Sequence, residues 1–416
     1  MSTYLYYLSA VTLAVLMIVY LFVGDQQCDS YNKPCSVNST PTRNQRSGSR
    51  TVSTLQFVAV FSRHGSRAPI LSYPKSDYQM NDTKIWPHGA GQLTTGGRIR
   101  MYQLGEKLRS LYNGFLDDLY HPGDIVVYST RLERCFTSAQ LILAGLYPPR
   151  DFQVWNCNIP WQPIRILYSD KDHVLIILSI LPKYPNMCPK FRTEQEKSLA
   201  RLERDFGSNL TRMLEYSLPY MSLDAGSHAL NTSIGSMWMD TYTLWESIVN
   251  PEKEGLKLPA WTSEIYPQPI TSLIAEVFKA TIAGSDIMLR LVSGQLFQEV
   301  VGLMEARLRN ETSLASHFYL HTGHDITIVA VQRILGLTDS CHWVVEPSSA
   351  LILELHTDPA TNGSHIKVLY IDGVSEDLEP VELAIPGCDY PCSIYQLMNM
   401  TEKYYNVTDW HKECEI

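Results

Sequence analysis

The sequence predicts an α/β protein with a mostly parallel sheet flanked by helices and an inserted all-helical cap subdomain. Short apolar runs, typical of strands buried on both faces, alternate with segments of helical periodicity in the two outer parts of the chain. Between about residues 190 and 300 the periodicity is helical and no run is typical of a strand. With 416 residues, the chain is long enough for two or three structural units.

The elements follow in order along the chain. The α/β core is expected to comprise residues 55–189 and 301–416, and the helical cap residues 190–300. Apolar runs predict strands at Leu55–Phe61, Ile125–Tyr128, Phe318–Leu320, Ala350–Leu355 and Ile366–Ile371. Spacings of three and four residues predict helical faces formed by Met101, Leu104, Leu108 and Leu111, and by Leu199, Leu202, Phe206, Leu210 and Met213. A helical pattern also covers residues 326–335, and a Pro-rich piece at 258–269 divides the cap.

The composition excludes several classes of protein. A hydrophobic content of 45% excludes a wholly disordered chain, and one long apolar run excludes a polytopic membrane protein. The net charge of −9 argues against a nucleic-acid partner, because phosphate backbones require a basic surface. Residues 1–54 carry a charge of +2, so the remainder carries −11. We therefore expect an acidic exterior with basic side chains concentrated in a few places.

The N-terminal segment predicts entry into the secretory pathway. Residues 1–24 contain no charged side chain, and Tyr4–Val23 is apolar and long enough to span a bilayer core. The segment is either a cleaved signal peptide or an uncleaved signal anchor, because it lacks both a basic n-region and a good cleavage site. Residues 25–54 are rich in Ser, Thr, Asn, Gln and Arg and are expected to form a flexible stalk.

Sequons and cysteines indicate the same compartment. A single N-x-S/T sequon is a weak signal, but eight of them behind an apolar leader are a strong one. Nine cysteines fit an oxidising lumen, and the odd number leaves at least one thiol free or intermolecular. The asparagines of the sequons are Asn38, Asn81, Asn209, Asn231, Asn310, Asn362, Asn399 and Asn406.

Polar clusters follow three of the predicted strands. They are the segments 62–69 (SRHGSRAP), 129–134 (STRLER) and 321–325 (HTGHD). In open α/β sheets, ligands bind outside the carboxyl ends of the strands, so these clusters can converge despite their separation in sequence. Several arginines in one place require a shared anion, and the planar guanidinium matches phosphate or carboxylate. The expected ligand is a tetrahedral oxyanion, namely phosphate, which the backbone can approach closely at Gly65 and Gly323.

A histidine among these arginines is the candidate nucleophile. Neutral His64 would attack phosphorus in line and form a phosphohistidine that water then hydrolyses. Neighbouring cations disfavour the imidazolium form and so lower the pKa of the imidazole, which keeps it nucleophilic in acid medium. Asp325 would supply a proton to the departing alkoxide, and an anionic phosphate beside it would raise the pKa of its carboxyl. Both effects favour activity at acid pH.

These residues resemble the motifs of the histidine acid phosphatases, the prostatic and lysosomal type within the histidine phosphatase superfamily. Residues 63–69 (RHGSRAP) are similar to the signature R-H-G-x-R-x-P, and His324-Asp325 resembles the distal H-D pair. The resemblance continues in Trp86-Pro87-His88-Gly89, in Leu93-Thr94-x-x-Gly97, in Leu104-Gly105, in Ser129-Thr130-x-x-x-Arg134, in Ser138-Ala139 and in Cys388-x-x-x-Cys392. It covers roughly residues 55–416.

The resemblance implies a histidine phosphatase-like core and a role for each matching residue. It makes His64 the nucleophile and Asp325 the proton donor, with Arg63, Arg67, Arg134 and His324 as phosphate ligands. It further implies disulfides between Cys188 and Cys414 and between Cys388 and Cys392, no metal, no other cofactor, and often a homodimer. Cys341 lacks its usual partner, which leaves Cys157 or Cys135 as candidates.

Other interpretations compete with this one. His321, His324 and Asp325 are residue types that suit zinc or iron, but neighbouring arginines would repel a metal ion. Arg131 lies near Arg134 and could turn inward in its place; the family spacing favours Arg134, leaving Arg131 and Glu133 directed outward. His321 is expected at the strand end as a supporting residue.

The expected function is that of an acid phosphatase, which hydrolyses phosphate monoesters to alcohol and inorganic phosphate. The substrates would be small phosphomonoesters, with phosphoproteins or lysophospholipids as further candidates. The alternatives are a phytase-like or inositol polyphosphate phosphatase of the same superfamily, disfavoured by the charge of −11, and a non-catalytic secreted binding glycoprotein. The expected location is secreted, lysosomal, or at the cell surface with an N-terminal membrane anchor.

Overall fold

A β-sheet forms the centre of the molecule. The computed structural model describes residues 53–173, 188–221, 234–311, 316–337 and 343–415. Eight strands in these ranges form one sheet: β1 Leu55–Arg63, β2 Ile125–Ser129, β3 Leu167–Tyr168, β4 Phe318–Gly323, β5 Ala350–Thr357, β6 Ser364–Ile371, β7 Pro380–Leu383 and β8 Cys392–Ser393. Their order is β3-β2-β4-β1-β5-β6-β7, with β8 paired to β6.

The sheet has a parallel half and an antiparallel half. Strands β1, β2, β3 and β4 pair in parallel, whereas β5 is antiparallel to β1, and β6 is antiparallel to β5, β7 and β8. The α/β class is confirmed, and the mostly parallel arrangement expected from the sequence holds for the half that the polar clusters follow. The apolar runs of β5 and β6 contain no information on direction. The residues 358–363 that join them are too few for the crossover that a parallel pair requires.

Helices cover both faces of the sheet. In chain order they are α1 Thr95–Leu111, α2 Glu133–Leu146, α3 Pro189–Met221, α4 Ile234–Lys253, α5 Ile270–Ile282, α6 Asp286–Leu308, α7 Asp325–Ile334, α8 Ile394–Tyr405 and α9 Trp410–Glu413. Alternate side chains of a strand point to opposite faces. Val58 and Val60 pack with α1 and α2, and Phe57 and Phe61 pack with α6, α7 and α8. The sheet is therefore the middle of three layers.

Helices α3, α4 and α5 form a separate apolar cluster, as the periodicity of this region predicts. The expected face of α3 is buried at Leu199, Leu202, Leu210 and Met213, and it packs on α4 and α5. The Pro-rich piece lies between α4 and α5 and contains a 3-10 helix at Ala260–Glu264. The cap boundary expected at residue 300 falls inside α6, whose buried apolar side chains belong to the cluster that packs against the sheet.

The predictions for the leader and stalk concern residues 1–54, nearly all of which lie outside the described ranges. Within those ranges, α6 is long and apolar enough to cross a membrane, but 61% of its most apolar window is buried in the core. The burial identifies α6 as a core helix.

Candidate active site

The three polar clusters meet at one edge of the sheet because their strands are parallel neighbours. Arg63 at the end of β1 is in register with Gly323 of β4, and Ser129 at the end of β2 is in register with Thr322. Backbone bonds hold the following residues together, since the His64 N–H donates to the Gly323 carbonyl at 3.1 Å. The carboxyl ends of β1, β2 and β4 thus bring together residues from three distant segments, as expected from the sequence.

His64 is buried and has a defined proton position. Its Nδ1 lies 2.8 Å from the carbonyl oxygen of Gly65. A carbonyl can only accept a hydrogen bond, so Nδ1 carries the proton and the lone pair is on Nε2. Burial, together with the charges of Arg134 and Arg63, holds the pKa of His64 well below its usual value. The side chain therefore presents a neutral imidazole with an unprotonated Nε2 even in acid medium.

The three arginines surround this imidazole, and each has an unpaired donor. Arg63 donates from Nη1 to the Val345 carbonyl and forms an ion pair with Asp325 at 3.0 Å. The Nε atoms of Arg63, Arg67 and Arg134 are buried and have no hydrogen-bond partner among the described residues. A buried N–H without a partner costs about 1–3 kcal/mol. An oxyanion between the three guanidinium groups would satisfy these donors.

Like charges are held close together here. Burial and the positive charge of Arg67 lower the pKa of the Arg134 guanidinium. Arg134 is positioned at the start of α2, where its backbone carbonyl accepts a hydrogen bond from Ser138 at 2.7 Å. The same Ser138 hydroxyl accepts from the N–H of Gly65 at 3.2 Å, which joins the second cluster to the first. Such a concentration of positive charge favours the binding of an anion.

His324 and Asp325 lie at the N-terminus of α7. The rings of His324 and His64 are in edge contact, with centroids 5.5 Å apart. Burial and the charge of Arg134 lower the pKa of His324 to about 3, and its Nε2 lies 3.2 Å from the Thr130 hydroxyl. Burial alone would raise the pKa of the Asp325 carboxyl, but the charges of Arg63, His324 and Arg67 and the hydrogen bond from the Ile326 N–H together outweigh it, so the pKa is lowered. Asp325, paired with Arg63, is therefore ionised.

Two glycines allow the first cluster to pack against helix α1. A Cβ at Gly97 of α1 would lie 2.1 Å from the carbonyl oxygen of Ser66, and a Cβ at Gly65 would lie 2.6 Å from the carbonyl oxygen of Gly97. Both distances are far below a normal contact between a carbon and a backbone atom. The loop that carries His64 is therefore held against α1 by a contact that any side chain at these positions would break.

Two residues of the cap that were not predicted from the sequence, Glu246 and Tyr242, reach the site from α4. Glu246 forms a bidentate ion pair with Arg67 at 2.9 and 2.7 Å, and the Tyr242 hydroxyl donates to Glu246 at 3.1 Å. A signal for Glu246 is present in the sequence: it is the only charged residue in the apolar run Leu244–Val249 (LWESIV). An isolated charge on a buried helical face is rarely left without a partner.

His321 lies beneath the site and pairs with Asp172, a third residue that was not predicted from the sequence. Its Nε2 is 2.8 Å from Asp172 Oδ2, which also accepts from the Thr327 hydroxyl at 2.9 Å. Both partners of the His321–Asp172 pair are fully buried. Among the described residues, no group of three or more His, Cys, Asp or Glu side chains is arranged to hold a metal ion. Metal independence itself stays a prediction.

The remaining sequence predictions concern the exterior and the cysteines. Arg131 is exposed and pairs with Asp170, and Glu133 accepts a bond from Gln92, so Arg134 is the arginine of this cluster that faces the site. Disulfides join Cys188 to Cys414 and Cys388 to Cys392. Cys157 is also disulfide-bonded. Cys135 is a buried free thiol, so the suggestion that it pairs with Cys341 is wrong. Cys28, Cys35 and Cys341 lie outside the described residues.

Comparison with known proteins identifies similar sequences and folds. Residues 54–371 match the profile of the histidine phosphatase superfamily (branch 2). The chain is 31% identical over 373 residues to the lysosomal acid phosphatase of Rattus norvegicus, covering 87% of this chain and 81% of that one. It is 30% identical over 357 residues to the venom acid phosphatase Acph-1 of Apis mellifera, covering 84% of each chain. The Citrobacter braakii phytase structure matches with a TM-score of 0.57 at 18% identity, covering 87% of this chain and 100% of that one, and shows a similar fold.

Proposed function

The chain belongs to branch 2 of the histidine phosphatase superfamily, and from this premise we propose that it is an acid phosphatase that hydrolyses phosphate monoesters through a phosphohistidine on His64. The observation that carries the proposal is the state of His64. Its Nε2 is unprotonated, its pKa is low, and it lies among three arginines that have unpaired donors. Relatives named lysosomal acid phosphatase and venom acid phosphatase support the same activity.

The first step transfers the phosphoryl group to the enzyme. The lone pair of His64 Nε2 forms a bond to phosphorus while the ester P–O bond breaks on the opposite side. The bond electrons leave with the ester oxygen, which takes a proton from Asp325 and departs as an alcohol. Arg63, Arg67, Arg134 and His324 bind the phosphoryl oxygens, and their donors stabilise the charge of the transition state.

The second step releases phosphate. Water attacks phosphorus and gives a proton to the Asp325 carboxylate, while the P–N bond breaks and its electrons return to Nε2. The enzyme is then ready for another turnover with Asp325 protonated, as it must be for the first step.

The ionised Asp325 of the free site explains why acid pH would favour activity. Asp325 pairs with Arg63, so its pKa is lowered in the free enzyme. A phosphate group bound to Arg63 would add negative charge beside this carboxylate and raise its pKa. Substrate binding is therefore coupled to the uptake of a proton, and proton uptake becomes less favourable as the pH rises.

A trapping experiment tests the covalent intermediate. Enzyme mixed with 32P-labelled p-nitrophenyl phosphate and quenched in alkali should yield a labelled protein whose label is stable to base and labile to acid. The His64→Ala variant should give no labelled protein and no turnover. Turnover by this variant at the wild-type rate would contradict the proposal.

A phytase-like activity is the second candidate, supported by fold similarity to phytases. A cavity of about 410 Å³ is lined by Ala68, the residue after Arg67, and its lining includes one Lys and one carboxylate, Lys84 and Glu254. This nearly balanced lining fits a substrate with one phosphate better than a polyanion. Comparing p-nitrophenyl phosphate, phytate, a phosphotyrosine peptide and lysophosphatidate at pH 5 and pH 7 would rank these substrate classes. A binding glycoprotein without catalysis would hydrolyse none of them.

We propose that the protein acts in the secretory pathway, either secreted, lysosomal or held at the cell surface by its N-terminal segment. The described sequon asparagines, Asn81, Asn209, Asn310, Asn362, Asn399 and Asn406, are all exposed and therefore accessible for glycosylation. N-terminal sequencing of the mature protein would distinguish a cleaved leader from an anchor.

Four exposed aromatic residues lie in one stretch of the chain, residues 152–168. Phe152 is 79% exposed and Trp155 is 51% exposed, and Trp161 and Tyr168 lie in the same segment of the chain. We propose that these exposed aromatic side chains join two copies in a homodimer, which sedimentation would detect and which Trp155→Glu should weaken.

A further inference from the structure

Glu246 of the cap is bound to a guanidinium of the site. It is 1% exposed and lies on α4, 179 residues from Arg67 in sequence. Its carboxylate accepts four hydrogen bonds: two from Arg67, one from the Tyr242 hydroxyl and one from the backbone N–H of Ile70 at 3.1 Å. A buried carboxylate with this many donors is well compensated for its loss of water.

The contact fixes which edge of Arg67 is available. Arg67 uses Nη1 and Nη2 for the two oxygens of Glu246, and Nη1 also donates to the Ala68 carbonyl at 3.0 Å. The edge formed by Nε and the second hydrogen of Nη2 is left, and this Nε is buried without a partner among the described residues. A guanidinium is planar, so a carboxylate that holds one edge also sets the direction of the other edge.

The negative charge of Glu246 offsets part of the positive charge of the site. Burial alone would raise the pKa of its carboxyl, but the charge of Arg67 and the hydrogen bonds from Arg67, Ile70 and Tyr242 together outweigh burial, so the pKa is lowered and Glu246 is ionised. The pKa of Tyr242 is raised by burial and by the Glu246 charge, so its hydroxyl stays protonated and donates. Glu246 therefore compensates one of the three positive charges that surround His64.

We propose that Glu246 is a positioning residue for phosphoryl transfer: it directs the free edge of Arg67 towards the phosphoryl oxygens and supplies one compensating negative charge from the cap. This inference rests on the proposed phosphatase function. It explains why an acidic side chain is buried against a phosphate ligand, where it would otherwise compete with substrate for the same arginine. Because Glu246 holds one edge, substrate and Glu246 bind Arg67 together and not in turn.

Three variants separate the two parts of this role. Glu246→Gln keeps the shape but removes the charge and places an amide N–H against the guanidinium. Glu246→Asp keeps the charge but shortens the reach. Ser247→Ala is the matched control, because Ser247 is the next residue of α4 and also ties it to the core, accepting from the Tyr73 N–H at 3.3 Å, without touching a phosphate ligand.

The expected results differ between the variants. Glu246→Gln and Glu246→Asp should lower kcat for p-nitrophenyl phosphate by about 10- to 100-fold, because a misplaced ligand loses contacts in the transition state. Ser247→Ala should change kcat by less than about threefold. In each variant the melting temperature is measured, so that loss of fold is separated from loss of position.

The pH dependence of kcat/KM gives a readout that a structural role would not move. His64 faces Arg134, Arg63, His324 and Arg67, and Asp325 faces Arg63, His324 and Arg67. Removing the Glu246 charge leaves Arg67 uncompensated, which lowers the pKa of both groups. Both limbs of the profile should shift to lower pH in Glu246→Gln and stay in place in Glu246→Asp and Ser247→Ala.

Different results would refute the role of Glu246 and the proposed phosphatase activity. No hydrolysis by the folded wild-type enzyme would refute the proposed function. An active wild type with Glu246→Gln and Glu246→Asp as active as Ser247→Ala, or with an unshifted pH profile in Glu246→Gln, would refute the role of Glu246. If Glu246→Gln does not fold, a wild-type kcat in folded Glu246→Asp would refute it as well.

Discussion

Replacing Asp325 with asparagine should move catalytic rate and phosphate affinity in opposite directions. The substitution preserves the size of the side chain and an acceptor for the Ile326 N–H, which donates to Asp325 at 2.9 Å. It removes the proton that the leaving group requires. It also removes the negative charge that pairs with Arg63, whose Nη2 lies 3.0 Å from Asp325 Oδ2.

The loss of rate depends on the leaving group. General acid catalysis contributes about 10²- to 10⁴-fold, or about 3–5 kcal/mol of barrier. An alkyl phosphate requires this proton because an alkoxide is a poor leaving group. p-Nitrophenolate departs without a proton and should show a much smaller loss. A ratio of the two losses above about tenfold is therefore expected.

The gain in affinity follows from the ion pair with Arg63. Two unit charges 3.0 Å apart attract by about 5.5 kcal/mol at an effective dielectric constant of about 20. Most of this energy is cancelled by desolvation, and the Asp325 side chain is 23% exposed, so we expect phosphate to bind about tenfold more tightly to Asp325→Asn at pH 7. Because the pKa of Asp325 is lowered in the free enzyme, the wild-type carboxylate is charged at pH 7. The advantage of the variant should shrink as the pH falls and the wild-type carboxyl becomes protonated.

The assay measures kcat for glycerol phosphate and p-nitrophenyl phosphate, and the inhibition constant of inorganic phosphate at pH 5 and pH 7. Asp170→Asn is the matched control, because Asp170 pairs with Arg131 at the surface and such pairs contribute little. Equal losses on both substrates would refute the role of Asp325 as proton donor. Weaker binding of phosphate by the variant would refute the argument from charge.

Three further predictions follow from the packing, the disulfide and the low imidazole pKa values. Gly97→Ala should destabilise the protein by about 1–3 kcal/mol and lower kcat, because its Cβ would overlap the Ser66 carbonyl in the loop that carries His64. Gly302→Ala is the control and should not destabilise the protein, because no atom lies within 4 Å of its Cβ. Equal denaturation midpoints for the two variants would contradict this prediction. Cys188→Ala with Cys414→Ala opens a loop of 226 residues and should cost up to about 5 kcal/mol in urea unfolding, and an unchanged midpoint would show that the disulfide contributes nothing. Burial and the charge of Arg134 lower the pKa of His324 to about 3. Protonation of His324 should therefore not reduce kcat/KM between pH 7 and pH 4. A loss of kcat/KM with a midpoint near pH 6.5 would contradict the lowered pKa.

Secondary-structure elements were predicted correctly where their signal lies in neighbouring residues of the sequence. The strand at Leu55–Phe61 and the helical face of Met101, Leu104 and Leu108 were identified because alternation and periodicity are properties of neighbouring residues. The direction of β5 and the existence of the two-residue strand β8 were not predicted, because strand pairing depends on contacts between distant segments. The expected cap boundary at residue 300 divided helix α6, because helical periodicity does not say where a helix ends or which surface it covers.

The fold class and the residue types of the site could be inferred without the structure, because residue types, their local spacing and the strands they follow are all encoded within short segments. Arg63, His64 and Arg67 belong to one such segment, and a phosphate-binding histidine could be inferred from it alone. The tertiary structure decided how these groups are charged and directed. It placed the proton of His64 on Nδ1, ionised Asp325 beside Arg63, and brought Glu246 from the cap to hold Arg67. Charge state and orientation depend on burial and on partners far away in the chain, which no local pattern records.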